Sequence, residues 1–332
     1  MKVLSSSNRY LQAGMTLLEA MLSLAIGVFL LGGVLATYVA MKSTTQDTTT
    51  MGELQEAGRL ALNILAKDIA QAGFSGKFSP SSLAQATVDG SITLPAADCV
   101  LANTNNGSFP SAALSGQSFF YLWATELTST SALGCISGAK KGTDLIQIKR
   151  VIADPVTEPV TLAALADNQF YLASNSTAAV FVAGSTGVLP TLNNQEVWPY
   201  VHRIYYIGSF DGVPGIRRRE LVGNSGVASM GINSYVVPGI EMMHFMFGVD
   251  TDLDGAVNTY IPASSMTSIH WENVANKVLT VRIYVLARSI DQDADYTNNN
   301  TYTLGNRVMS GGGDHYRRMV FSTTVKVQNA AF

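Results

Sequence analysis

The sequence predicts an α+β fold in which one long N-terminal helix packs on antiparallel β-sheet. Three observations lead to this prediction. Residues 20–41 form a largely apolar run without a formal charge, a helical stripe follows and ends at Gly73, and short strands separated by turn residues fill the rest of the chain. The net charge is −3 and only 14% of the 332 residues are charged, which argues against a nucleic-acid surface.

The apolar run is long enough to cross a membrane. Its 22 residues span about 33 Å as a helix, and a hydrocarbon core is about 30 Å thick. The leader before it, residues 1–14, carries Lys2 and Arg9 and no acid, which predicts a cytoplasmic N-terminus. A secretory signal has an apolar core of only about 7–15 residues. A plain signal anchor fits the length but leaves Gly14 and Glu19 unexplained.

Glu19 is a single carboxylate at the head of this apolar segment, four residues past Met15. Such a charge is costly in a membrane unless it is paired. Cleavage after Gly14 would create a partner, because the new amino terminus of Met15 would lie one helical turn away. The pattern resembles the leader of type IV prepilins and type II secretion pseudopilins. That resemblance implies cleavage after Gly14, N-methylation of Met15 and a role for Glu19 in assembly.

A second helical segment follows the membrane run. Residues 42–50 are polar, threonine-rich and of poor helix propensity. From Glu53 apolar residues recur at helical spacing, and Gly73 supplies a glycine stop. The stripe is Leu54, Ala57, Gly58, Ala61, Leu65, Ile69 and Ala72. We therefore predict one helix over about residues 15–72. Its membrane part covers residues 15–41, its amphipathic part covers residues 42–73, and a β-rich domain covers residues 74–332.

Short alternating or apolar runs predict the strands of that domain. The shorter ones are residues 119–122, 144–152, 169–172 and 179–182, and residues 201–207 and 216–221 predict a hairpin around the turn residues 208–215. The strongest strands are predicted at residues 236–249, 277–287 and 318–327. Residues 291–306 and 310–313 have loop composition. One apolar face in residues 277–287 suits an antiparallel sheet with one side on the helix.

Four blocks carry a closer resemblance, to the PilW family of minor pilins. They are RLALNILAKDIAQAGF at residues 59–74, FGVDTDLDG at 247–255, KVLTVRIYVLARS at 277–289 and RRMVFSTTVKVQN at 317–329. Residues 75–198 resemble no family. The resemblance implies a pilin-like fold with an extra β-rich region. It also implies a single-pass subunit that passes from the inner membrane to a pilus at the cell surface, primes pilus assembly and sits near the filament tip.

The same resemblance implies the partners. They are the prepilin peptidase, the other minor pilins and the major pilin, the inner-membrane assembly platform and a tip adhesin. A minor pseudopilin of a type II secretion system is the nearest alternative. A membrane-anchored periplasmic enzyme or calcium-dependent binding protein is the alternative from another class, and it predicts an uncut N-terminus.

Cys99 and Cys135 are the two cysteines of the chain. In an exported domain they predict one disulfide, which stabilises the fold by about 3–4 kcal/mol through the loop it closes. A pair of buried free thiols is the alternative.

Asp250, Asp252 and Asp254 precede Gly255 in the pattern D-x-D-x-D-G, the opening half of a calcium loop. The twelfth position, a bidentate glutamate in an EF-hand, is Ile261 here. An Asp/Gly-rich turn between strands explains the same residues, so the sequence leaves a structural calcium ion and a simple turn as alternatives.

No enzyme motif was found. The four histidines, His202, His244, His270 and His315, have no metal-ligand spacing and are interpreted as surface or strand residues. The basic run at residues 217–219 is interpreted as a solvated strand face. We expect a structural, interacting protein rather than an enzyme.

Overall fold

The computed structural model describes residues 14–114, 116–156, 160–272 and 275–330. Of the predicted leader, only Gly14 is among them. The chain forms two compact units, Met1–Gly52 and Glu53–Phe332. The predicted α+β class is confirmed: a long N-terminal helix is followed by sheets in which the strands pair antiparallel, apart from one short parallel pair.

Helix α1 spans Leu17–Ala70 without a break. It starts two residues later and ends two residues earlier than predicted. Its threonine-rich stretch stays helical although threonine has weak helix propensity. The hydroxyls of Thr44, Thr45, Thr48 and Thr49 each donate to the backbone carbonyl four residues earlier. These polar side chains are therefore satisfied within the helix itself.

The apolar stripe of α1 is the buried side of its second half. Leu54 is 2% exposed, and Ala61, Leu65 and Ile69 are fully buried. The chain turns after the helix at Gly73, whose φ of +77° is a left-handed conformation that glycine adopts without strain. The Gly73 N–H donates to the carbonyl of Lys149 at 2.9 Å, so this turn joins the helix end to the sheet.

The largest sheet has eight strands. They are β1 (Thr87–Val88), β2 (Leu122–Glu126), β3 (Asp144–Val151), β4 (Phe170–Ser174), β5 (Ala179–Ala183), β6 (Glu196–Phe210), β7 (Val213–Asn224) and β8 (Val227–Pro238). The order is β1-β5-β4-β6-β3-β2, and β7 pairs with both β6 and β8. Strand β6 is the longest and pairs with β3, β4 and β7.

A second sheet has four antiparallel strands in the order β10-β9-β11-β14. The last six strands of the chain are β9 (Ile240–Asp250), β10 (Thr259–Pro262), β11 (Lys277–Arg288), β12 (Thr301–Leu304), β13 (Arg307–Ser310) and β14 (Arg318–Lys326). Strands β12 and β13 form a separate hairpin. In the second sheet, Val285 on β11 lies opposite Phe321 on β14. The Phe321 ring lies against Gly58 of α1, so this face of the sheet carries the helix.

Short helices interrupt the loops. They are the 3-10 turns Pro80–Gln85, Ala112–Leu114, Leu162–Ala164 and Ala263–Ser265, and helix α2 (Ser268–Trp271). Most of the buried apolar side chains belong to one core, which includes the α1 stripe and both larger sheets.

Four predictions of strands and loops were wrong in detail. Residues 236–249 form two strands rather than one, because Gly239 has a φ of +74° and separates β8 from β9. The predicted loop at residues 291–306 contains β12, whose alternation is masked by the asparagine-rich residues before it. The strand predicted at residues 119–122 lies instead at Leu122–Glu126. The hairpin after β6 turns tightly at Asp211 and Gly212, both with positive φ, so its strands extend into the predicted loop.

Candidate assembly and metal-binding sites

The predicted processing site lies just before α1. Gly14 and Met15 precede the helix, and Met15 is 65% exposed. Thr16 caps the helix: its side-chain oxygen accepts from the Glu19 N–H at 3.3 Å, and its carbonyl accepts from the Ala20 N–H at 3.1 Å. Glu19 stands in the first turn, where the helix dipole favours a carboxylate.

The role of Thr16 was not predicted from the sequence. The spacing Thr-x-x-Glu before an apolar run is the signal that would have found it. Glu19 therefore supplies the backbone N–H that the Thr16 cap accepts, beside its predicted role in assembly. Cleavage after Gly14, methylation of Met15 and pairing of Glu19 with an amine stay predictions.

The first part of α1 has apolar side chains on all sides. Leu18, Leu24, Phe29 and Val34 are each more than 60% exposed. The helix is long and apolar enough to cross a membrane, and its most apolar segment is not buried within the protein. A helix that is apolar all round needs lipid or other helices around it, which fits a membrane anchor.

A buried charge joins the second half of α1 to the large sheet. The Asp68 carboxylate accepts from Arg150 at 2.8 Å, from Arg203 at 3.1 Å and from the Tyr205 hydroxyl at 2.6 Å. Burial raises the pKa of Asp68, but Arg203, the Tyr205 hydrogen bond and Arg150 outweigh it, so this pKa lies below its ordinary value. Asp68 flanks the apolar stripe in sequence, yet it is only 4% exposed. Its role in joining helix and sheet was not predicted.

A second ionic cluster lies at the start of β14. Glu241 accepts from Arg318 at 2.5 Å and from Lys140 at 3.0 Å, and Arg318 also pairs with Asp314 at 2.6 Å. The Arg318 side chain is 3% exposed. Burial raises the pKa of Glu241, but the hydrogen bond from Arg318 and the charge of Lys140 outweigh it. The pKa of Glu241 therefore lies below its ordinary value. This cluster ties the first residue of β14 to β9.

Lys149 on β3 is a buried amine. Its Nζ donates to the carbonyls of Asn106 at 3.0 Å and Phe120 at 2.6 Å and lies 4.9 Å from the centre of the Phe119 ring. Burial lowers the pKa of Lys149 to about 7, although nearby Asp98 opposes the shift. The amine therefore holds two loop carbonyls in the core.

Ser108 and His202 are also buried, and both lie close to Asp98 or Lys149. The Ser108 hydroxyl donates to Asp98 and lies 3.0 Å from His202 Nδ1. Burial holds the pKa of His202 well below its ordinary value, and the charge of Lys149 lowers it further. The hydroxyl lies between the acid and the imidazole, so the imidazole does not donate to the acid as it does in a hydrolase triad. The arrangement fits a packing role.

The acidic turn after β9 brings its three carboxylates together. One oxygen from each of Asp250, Asp252 and Asp254 lies within 4.8 Å of the others, and only Asp250 is buried. Both Asp250 oxygens accept backbone N–H groups, from Leu253 at 2.6 Å and from Gly255 at 2.9 Å. Desolvation raises the pKa of Asp250, but the hydrogen bonds from Gly255, Leu253 and Asp252 together outweigh it, so this pKa lies below its ordinary value.

The remaining residues of the turn fit the same explanation. The Asn258 side-chain oxygen accepts from the Thr251 N–H at 2.7 Å. The backbone bonds thus account for Asp250 and Asn258 as parts of an Asp/Gly turn. Asp254 Oδ1 also accepts from the Ala256 N–H at 2.7 Å, so the Asp252 carboxylate and the second Asp254 oxygen are the groups left for a cation. A calcium ion here stays a prediction.

Cys99 and Cys135 form a disulfide that bridges 36 positions of sequence. Cys99 is fully buried, and its carbonyl accepts from the Gln147 side chain on β3 at 2.8 Å. The bond therefore fixes a long loop to the large sheet.

The basic run on β7 is engaged within its own sheet. Arg217 donates to Asn233 at 3.2 Å, Arg218 pairs with Glu220 at 3.1 Å, and Arg219 donates to the Met230 carbonyl at 2.7 Å. These contacts fit the interpretation as a strand face. Two histidines are buried on strands: His202 lies on β6, and His244 on β9 is bonded to Asp144 at 2.8 Å.

The family match concerns the C-terminal part of the chain. Residues 204–329 match the family model of PilW, described as type IV pilus-assembly protein W. The chain is PilW-like over this part. The PilW-like region runs from β6 to the residues after β14. It contains three of the four resembling blocks, so the predicted resemblance is confirmed there.

One similar solved structure is a type IV-like pilin from Thermus thermophilus. It is 11% identical, the match covers 84% of this chain and 97% of that chain, and the TM-score is 0.36. No curated protein matches the chain.

Proposed function

We propose that this protein is a minor pilin of a type IV pilus. The observation that carries the proposal is the match of residues 204–329 to a type IV pilus-assembly family. The unburied apolar start of α1 supports it, because a pilus subunit needs a membrane anchor before assembly. A single-pass helix with a cytoplasmic leader and the β-rich unit on the opposite side fits the positive-inside rule.

In this proposal the prepilin peptidase cleaves after Gly14 and methylates Met15. The Glu19 carboxylate then neutralises the amine of a neighbouring subunit in the apolar filament core. Each of the two charges is costly alone in that environment, so pairing them fixes the axial register of the subunits. The protein joins the other minor pilins on the inner-membrane platform, primes assembly of the major pilin and ends near the filament tip, where a tip adhesin binds.

The mass of the N-terminal peptide tests the processing step. The protein is expressed with its own assembly genes and digested, and the peptide that contains the first residues is measured. We expect a peptide that begins with N-methylated Met15. An intact Met1 leader would contradict the proposal and favour the anchored periplasmic binding protein. The Gly14→Ala variant is the matched control and should keep its leader.

A minor pseudopilin of a type II secretion system would be processed in the same way. Deletion of the gene distinguishes the two functions. Loss of surface pili with normal secretion supports the pilus, and loss of secretion with normal pili supports the secretion system. The family description, which names pilus assembly, favours the pilus.

A further inference from the structure

Strand β14 forms one edge of the four-stranded sheet, and its hydrogen-bond register shows which residues face outward. Val327 N–H donates to the Leu279 carbonyl at 2.9 Å, and Ser289 N–H donates to the Arg317 carbonyl at 2.8 Å. Between these two pairs the register of β11 and β14 is continuous. Hydrogen-bonded and non-bonded pairs alternate in an antiparallel ladder. The backbone groups of Ser322, Thr324 and Lys326 therefore point away from β11.

These outward groups are open to solvent. Ser322, Thr324 and Lys326 are exposed, whereas Val320 is half-buried. Within residues 14–114, 116–156, 160–272 and 275–330, no protein group bonds to the outward N–H and C=O groups of these three residues. The open edge is therefore the segment from Ser322 to Lys326, with three N–H and three C=O groups in a row.

Strand β14 has few of the features that usually protect an edge from pairing. Natural edges are short, bulged, or interrupted by proline or charge. Strand β14 has nine residues, pairs with β11 without a bulge, contains no proline and carries charge only at Arg318 and Lys326. The opposite edge of the same sheet is β10, which has four residues and ends in Pro262. The edge strand β8 has two irregularities in its pairing with β7.

The side chains of β14 continue an apolar row toward this edge. Met319, Phe321 and Val325 lie opposite Ala287, Val285 and Val281 on the face that carries the helix, and all three are only half-buried. An added strand with apolar residues on the same face would complete their burial. Alternating side chains give such an added strand its specificity, and main-chain bonds give it affinity.

We propose that the open edge of β14 accepts an extended strand from another subunit of the same pilus assembly. This inference rests on the proposed function. The added strand has apolar side chains on the helix-bearing face and an acidic residue near Lys326, because Lys326 is exposed and has no ion-pair partner in the described part of the chain. A second copy of β14 does not fit this description, because the strand contains two cations and no acid.

Amide hydrogen exchange tests the proposal on the full-length protein in detergent. The protein is purified alone and as a complex with the other pilin-like proteins of its own assembly system, and exchange is resolved by residue. We expect the amides of Ser322, Thr324 and Lys326 to exchange at least tenfold more slowly in the complex. The amides of Thr323 and Val325 are the internal control, because their bonds to β11 protect them in both samples.

Two variants give an independent readout. Ser322→Pro removes an outward N–H without removing a bond to β11, and Ser322→Ala is its matched control. We expect Ser322→Pro to reduce recovery of the complex at least tenfold and Ser322→Ala to leave it unchanged. Lys326→Glu changes only an exposed side chain and should weaken the complex in the same direction, so the test does not depend on the folding of the proline variant.

The outcomes separate the inference from the proposed function. A complex that forms with unprotected β14 amides, or at the normal level with both Ser322→Pro and Lys326→Glu, overturns the inference and leaves the proposed function standing. Failure to form any complex contradicts both. Protection that rises with the concentration of the protein alone would identify a second copy as the occupant and overturn the choice of a different subunit.

Discussion

Gly58 of α1 lies directly against the ring of Phe321 on β14. A Cβ built on Gly58 would lie 2.2 Å from a carbon of that ring, well inside van der Waals contact. The glycine therefore lets the helix approach the edge strand of the sheet. The Phe321 ring packs against α1, and the backbone groups of the next residue, Ser322, point away from β11. The helix therefore contacts the same strand that has the open edge.

Gly58→Ala should destabilise the protein by about 1–2 kcal/mol. Overpacking a core typically costs about 1–3 kcal/mol, while replacing a helical glycine by alanine returns about 0.5–1 kcal/mol. Chemical unfolding of the full-length protein in detergent measures the difference. Gly52→Ala is the control, because nothing lies within 4 Å of a Cβ there. Phe321→Leu should relieve the loss in the double variant; equal stability of Gly58→Ala and the parent would contradict the close contact.

Asp68→Asn should cost about 3–5 kcal/mol of unfolding free energy. It removes one partner of a buried ionic cluster and leaves the Arg150 and Arg203 guanidinium groups without their shared charge. Thermal unfolding at neutral pH measures the loss. The control is Glu56→Gln, which likewise replaces a carboxylate by an amide but at an exposed position of the same helix. A loss no larger than that of the control would show that the cluster contributes nothing net.

The pH dependence of this loss has a defined sign. The pKa of Asp68 in the folded state lies below its ordinary value of 3.8. The stabilisation is therefore complete above pH 3.8 and disappears as the pH falls through the lower, folded pKa. The difference in unfolding temperature between the parent and Asp68→Asn should shrink in that acidic window. A difference that stays constant into strong acid would assign the effect to packing.

Lys149 should make the protein more stable as the pH rises above 7. Its folded pKa is about 7, against an ordinary value of 10.5. Between these values the unfolded chain holds the proton and the folded protein does not, so stability rises with pH across this interval. Lys149→Met lacks this rise, and Lys67→Met is the control for loss of an exposed lysine. Unfolding temperatures measured from pH 7 to 10 test this prediction. If the unfolding temperatures of Lys149→Met and the parent changed in parallel with pH, the lowered pKa would be contradicted.

The sequence predicted the helix well, because its stripe repeats at helical spacing and each member packs inward. Leu54, Leu65 and Ile69 are buried as expected. The strands from β9 onward were partly misjudged at Gly239 and at β12, where one glycine or a polar composition outweighs a short alternation. A helical repeat involves only residues that are close together in the chain, so it can be recognised from the sequence alone.

The buried polar clusters were not predicted, because their members are far apart in the chain. Asp68 meets Arg203 across 135 positions, and Glu241 meets Arg318 across 77. Nothing local distinguishes Lys149 from a surface lysine, since its burial depends on two loops that close over β3. The open edge of β14 likewise depends on strand order, which the alternation of residues 318–327 does not reveal. By contrast, the acidic turn was found from sequence because its residues are consecutive.

When calcium is absent, the stability of the acidic turn should depend on Asp250 and not on Asp252 or Asp254. Asp250 accepts the Leu253 and Gly255 N–H groups, so Asp250→Ala should lower the unfolding temperature in EDTA. Asp252→Asn with Asp254→Asn changes exposed side chains and should stay within about 0.5 kcal/mol of the parent. Calcium is then added to the parent and to the double variant. A rise in the unfolding temperature of the parent alone would identify a bound calcium ion, and no rise in either protein would identify a simple turn.

Glu19→Ala should leave cleavage after Gly14 largely intact and reduce incorporation of the subunit into pili. The peptidase acts at the leader boundary, whereas the carboxylate is needed only when a free Met15 amine must be neutralised in an apolar surrounding. Immunoblots of sheared pili and of membranes measure incorporation and processing in the same cells. Glu19→Asp keeps the charge and the favourable place in the first turn of α1, so its recovery in pili should exceed that of Glu19→Ala. Glu19→Ala subunits in sheared pili at the parental level would contradict the role of Glu19 in assembly.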